Sequence, residues 1–100
     1  MEITTEVEDT KAIITIEGKV TVQTAAQIKA AITTLPEEVK DIDVDVAKVT
    51  YLSSAGLRTL VLAAKLSKRR HGVMRMLDPS EDIINVLTMT GLKPLLMPED

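Results

Sequence analysis

Aromatic side chains are nearly missing from this chain: Tyr51 stands alone, without a Trp or a Phe. The core must therefore be built from aliphatic side chains, packed between two layers. The same scarcity removes the platforms on which single-stranded nucleic acid stacks. Cysteine is absent, which excludes disulfides and thiol chemistry and is compatible with a reducing compartment. The one histidine, His71, has no cysteine or evident acid–base partner, so it reads as a solvent-exposed or dipole-stabilised imidazole. No apolar run approaches the ~20 residues needed to span a bilayer. The opening Met1-Glu2-Ile3-Thr4-Thr5-Glu6 lacks the basic-then-apolar order of a signal peptide. The reading is a cytoplasmic protein without a membrane partner. A net charge of −3 is too weak a field to gather nucleic acid. There is no phosphate-cradling glycine loop, metal-ligand spacing or nucleophile elbow, so no cofactor is expected and catalysis is the weakest hypothesis.

What is present is 100 residues, 45% of them hydrophobic. That suits one domain over residues 1–100, with a core spanning about 3–97, large enough to fold without staples. Residues 3–7 and 11–17 (KAIITIE) read as strands joined by a turn at Glu8-Asp9-Thr10, with Gly18 breaking the pattern. Ala25, Ile28, Ala31, Ile32 and Leu35 fall at helical spacing over 24–35. There Thr24 and Gln27 make a capping box, and Pro36 stops the helix. Residues 41–46 (DIDVDV) alternate strictly, placing Ile42, Val44 and Val46 inward and three aspartates outward. Such alternation calls for a sheet covered by helices on one face and partly wet on the other.

A long helix follows over about 55–70, with Leu57, Leu60, Val61 and Ala64 as its buried stripe. Lys65, Lys68, Arg69 and Arg70 crowd its end, where cations complement the dipole, and Gly72 closes it. Residues 73–77 read as a strand. Asp78-Pro79-Ser80-Glu81 reads as a helix start, with Asp78 capping and Pro79 in the first turn. That helix presents Ile83, Ile84, Val86 and Leu87 and ends near Thr90-Gly91. A tail over 92–97 reads as a last strand, confined to an edge by Pro94. Met74, Met76, Met89 and Met97 read as adaptable core filler. The order predicts a mixed α/β sheet of four or five strands with three or four helices mainly on one face.

The most informative segment is Tyr51-Leu52-Ser53-Ser54-Ala55-Gly56-Leu57-Arg58, which leads off a strand into a helix. The first amides of a helix lack internal partners, and the dipole makes that end electropositive. A serine there is either a cap or a hydroxyl whose phosphate those amides would receive. Asp41, Asp43 and Asp45 share one strand face and read as a solvated row rather than a cation site.

This junction resembles the strand-to-helix motif of STAS domains, the fold shared by anti-sigma factor antagonists and the cytoplasmic tails of sulfate transporters. Tyr51 and Leu52 match its leading pair, and Gly56 with Leu57 match its Gly-Leu. Gly18 and the polar stretch after it resemble the family's turn before the first helix, and Thr90-Gly91-Leu92 the close of its last. The resemblance implies a non-catalytic module that binds an anti-sigma factor of serine-kinase type and so releases a sigma factor. It places the phosphorylated switch at Ser54, reset by a metal-dependent serine phosphatase, and implies a monomer when free. Thr21, Ser53, Ser54, Ala55, Gly56, Leu57 and Arg58 become the partner-binding residues. Arg58 is expected to meet the partner or a neighbouring carboxylate, Tyr51 and Leu52 to anchor the strand end, and Gly56 to let another backbone approach.

Two positions depart from the pattern, Ser53 and Thr21, where the resemblance places aspartates. They favour an alternative, a constitutive STAS scaffold in a signalling assembly without phosphorylation of its own. A small nucleotide-binding protein is the third reading.

Overall fold

The computed structural model describes residues 1–98; Glu99 and Asp100 lie outside the described residues. Strands β1 (Glu2–Glu8) and β2 (Lys11–Val20) form an antiparallel hairpin, closed by Glu8 opposite Lys11. Asp9 sits in its turn at φ 53. Helix α1 (Val22–Thr33) then carries the chain to β3 (Asp41–Leu52), and α2 (Ser54–Arg69) to β4 (Met74–Leu77). Helices α3 (Glu81–Thr90) and α4 (Lys93–Leu96) complete the chain. The sheet order is β1-β2-β3-β4, with β2, β3 and β4 mutually parallel. Both crossovers step the same way across the sheet, so a shared handedness lays α1 and α2 on one face.

The core lies between that face and the helices. Ala12, Ile42 and Met74 stand in one row across the three parallel strands, and Ile14, Val44 and Met76 in the next, all buried. Ile28 and Ile32 of α1, Leu60 and Ala63 of α2, Leu87 of α3 and Leu96 of α4 close over them. The other face is open and polar, as the alternation of residues 41–46 requires, but its aspartates are not idle. Asp43, only 8% exposed, pairs with Lys11 at 2.8 Å. Asp41 Oδ1 accepts the Val73 N–H at 2.8 Å, and Asp45 Oδ1 accepts the Ala47 N–H at 3.0 Å.

Several local expectations are corrected. β2 runs through Gly18 to Val20, because Gly18 adopts φ 93, a left-handed value at which a side chain would be strained. β3 likewise runs past Val46 to Leu52. Its register against β2 slips at Thr15/Glu17 and again at Gly18/Lys19, each slip adding one residue to β3. These bulges turn Val46, Val49 and Leu52, spaced by three, to the same side. The cap of α1 is Thr21 rather than Thr24, and the helix ends at Thr33, before Pro36. The buried line of α2 is Gly56, Leu60, Ala63, Ala64 and Ser67, with Leu57 and Val61 half-buried at its margin.

At the end of α2, Arg70 is the cap residue, and its guanidinium donates to the Pro36 and Val39 carbonyls, each at 2.9 Å. His71, not Gly72, takes the left-handed turn (φ 64). Gly72 lies against the Lys40 carbonyl, where a Cβ would collide. Ser80, not Asp78, caps α3, accepting the Ile83 N–H at 3.3 Å. α3 ends at Gly91 as the sequence indicated. The tail forms α4 instead of a fifth strand: Pro94 is accommodated in its first turn, and Leu96 is buried. Met74 and Met76 are core residues, whereas Met89 is 85% exposed because it lies on the outer side of α3.

Candidate functional site

The site grows from the way β2 and β3 end side by side. Lys19 pairs with Tyr51 and Val20 with Leu52, and the Ser53 N–H then donates to the Val20 carbonyl at 2.8 Å. The next residues, Thr21 and Ser53, are each the cap of a helix. Residues distant in sequence, Thr21 and the 53–58 segment, therefore meet at one end of the sheet.

Each cap closes by local hydrogen bonds. Thr21 Oγ1 accepts the Thr24 N–H at 3.2 Å, and Thr24 Oγ1 accepts the Thr21 N–H at 2.7 Å. Threonine here completes the reciprocal box that Glu or Gln usually closes. Ser53 Oγ accepts the Gly56 N–H at 3.1 Å and is 7% exposed. Ser54 is the first residue of α2 and is exposed. Its hydroxyl makes no hydrogen bond among the described residues. The two readings of a serine at this junction thus fall on two residues: Ser53 caps, and Ser54 is left open to chemistry.

Gly56 is buried and faces inward. A Cβ there would lie 2.5 Å from Val20 Cγ1 and 2.9 Å from Leu52 Cδ1. It lets α2 settle on the strand ends of its own chain rather than admitting another backbone. Leu52, half-buried, anchors the end of β3, but Tyr51 is 54% exposed on the open side of the sheet. Arg58 is exposed, one turn along α2, and pairs with no carboxylate among the described residues. Thr21, Ala55 and Leu57 are half-buried. The surface offered at this end consists of Ser54 and Arg58, flanked by those three, with Ser53 and Gly56 shaping it from beneath.

The arrangement can receive an anion or a partner surface. Among the described residues no group of three or more His, Cys, Asp or Glu stands ready to hold a metal ion. Nor is any helix among them long and apolar enough to cross a membrane.

Residues 2–98 match the family model described as the STAS domain. The chain belongs to the STAS family. In sequence it is 28% identical over 83 residues to the anti-sigma-B factor antagonist of Bacillus subtilis (strain 168), covering 83% of this chain and 76% of that protein. Its fold is similar to that of the anti-sigma factor antagonist SpoIIAA in its unphosphorylated form (TM-score 0.79, 19% identity, 99% of this chain and 89% of that one). It is equally close to SpoIIAA from Bacillus in the phosphorylated form (TM-score 0.79, 22% identity, 96% and 89%). This STAS chain is thus related to anti-sigma factor antagonists.

Proposed function

We propose that this STAS protein is an anti-sigma factor antagonist that binds a serine-kinase anti-sigma factor through Thr21 and residues 53–58, with Ser54 as its phosphorylation switch. The observation that carries this reading is the uncommitted hydroxyl of Ser54 at the first position of α2, beside a serine that has already taken the cap. A phosphate on Ser54 would sit at the electropositive helix end with about −1.5 to −2 charge. Arg58, four residues on, lies on the same helix face and within reach of it. A partner surface shaped for a neutral hydroxyl and an exposed arginine would then meet a paired, bulky dianion. On this reading a metal-dependent serine phosphatase restores binding, and the protein works in the cytoplasm as a monomer when free.

Thr21 and Ser53 support one refinement. They keep the capping role that aspartates would also fill, while removing two negative charges from the neighbourhood of Ser54. The same substitutions are what favour the second reading, a constitutive scaffold that is never phosphorylated.

A pull-down from the source cell with wild type and Ser54→Asp, read by mass spectrometry, separates the two. The antagonist reading predicts a kinase-type anti-sigma factor with wild type only, and phosphate on part of the Ser54 pool. Identical partners for both forms, with Ser54 never modified, would overturn it in favour of the scaffold.

A further inference from the structure

Charge is segregated in this molecule. Helices α1 and α2 contain five charged residues, Lys29, Arg58, Lys65, Lys68 and Arg69, and none is acidic. Taking these five cations from a net charge of −3 leaves −8 on the rest of the chain. Among the described residues, the ion pairs Lys11–Asp43 and Lys48–Glu17 lie on the open face of the sheet, so the helical cations are not neutralised by them. Lys68 and Arg69 stand in the last turn of α2, where the dipole accounts for them. The dipole does not account for Lys29 in mid-helix, for Lys65, or for Arg58 near the positive end of α2, where a cation is disfavoured.

These cations border a groove. Two open depressions, of about 410 and 540 Å³, meet at Leu62: the first lies between α1 and α2, and the second on α2 alone. The first is lined by Ala25, Ala26, Ala55, Thr59 and Leu62, with Lys29 and Arg58 among them. The second, on the surface of α2 past Leu62, is lined by Lys65, Lys68 and Arg69. Small side chains keep the floor low, and both helices run in the same direction because both connect parallel strands. A channel between two such helices has the form that ridges of a third helix fill.

We propose that this groove docks an acidic amphipathic helix of a partner protein. Its apolar stripe rests on the alanines and Leu62, and flanking carboxylates face Lys29, Arg58 and Lys65. Between Ala55 and Leu62 the groove accommodates about two turns, roughly 10 Å of helix, and Lys65 stands just beyond its end. A bilayer surface or a polyphosphate backbone would reach the cations and leave the apolar lining of Ala25, Ala55 and Leu62 unpacked, so a protein segment is the occupant that satisfies both. Ala55 and Arg58 belong to both surfaces, so the proposal extends the partner-binding reading along α1 and α2, but it does not require phosphorylation of Ser54.

The test is a display library of 16-residue helical peptides with a fixed leucine stripe and Glu, Gln or Lys free at the flanking positions, selected on the full chain. Selection should yield acidic peptides that shift backbone amide resonances centred on Ala26 and Leu62. Lys29→Gln with Lys65→Gln should weaken them about tenfold, as loss of two partly screened ion pairs requires. If that double variant is misfolded by circular dichroism, the wild-type amide map decides alone. Enrichment without acidic bias, amide shifts elsewhere, or tighter binding to phosphatidylglycerol vesicles or duplex DNA than to the peptides would each overturn the proposal.

Discussion

Ser53 and Ser54 carry the same hydroxyl one residue apart and do different work. Ser53 is buried and holds the Gly56 N–H, whereas Ser54 is exposed and holds nothing. Ser53→Ala should therefore cost about 1 kcal/mol, the usual value of a lost cap. In a domain this size that lowers the thermal midpoint by roughly 4–8 °C. Ser54→Ala should stay within about 0.5 kcal/mol of wild type. Thermal unfolding followed by circular dichroism distinguishes the two, and equal losses would contradict the division of roles. The sequence displayed both serines but not their assignment. Either fits the cap by residue type, and what decides between them is the Ser53 amide bonding across to Val20. The same holds at the first helix: Thr21 and Thr24 both suit a cap, and the extension of β2 to Val20 settles which one serves.

For whole elements, the seating of α2 depends on Gly56. A Cβ there meets Val20 and Leu52 at overpacked distances, which costs about 1–3 kcal/mol against a helix-propensity gain of about 1 from alanine. Gly56→Ala should be net destabilising, and Val20→Ala should relieve part of that loss in the double variant. Urea unfolding of the four proteins gives the coupling energy; strict additivity would mean that α2 is not seated by this contact. Element type was legible wherever one period ruled, as in residues 41–46 and in both long helices. It failed where the period changed. Val46, Val49 and Leu52 fit neither a strand nor a helix until two bulges are allowed, and bulges leave little trace in a single sequence. The tail misled because residues 92–97 offer apolar content without enough length to show a period; burial of Leu96 made them a helical turn.

Across the whole molecule, the sheet with helices on one face followed from alternation and element order, and the side-by-side ends of β2 and β3 bring the caps at Thr21 and Ser53 together. What composition concealed was the separation of charge. A mild net value of −3 averages a basic helical side with a strongly acidic remainder.

The pairing of β2 with β3 also governs time. The β1–β2 hairpin closes locally, but an isolated hairpin is marginal in water. Lys11 must find Asp41 across about thirty intervening residues before the central rows of the core exist. That closure is expected to be the slow event, with α4 docking after it. Val44→Ala, in the central row, should slow refolding in stopped-flow chevrons, whereas Leu96→Ala should chiefly speed unfolding. Equal slowing by both would place the tail in the folding nucleus. A chain emerging from the ribosome would accordingly stay uncommitted until β3 is out, with its hairpin and first helix waiting for the strand that makes them a fold.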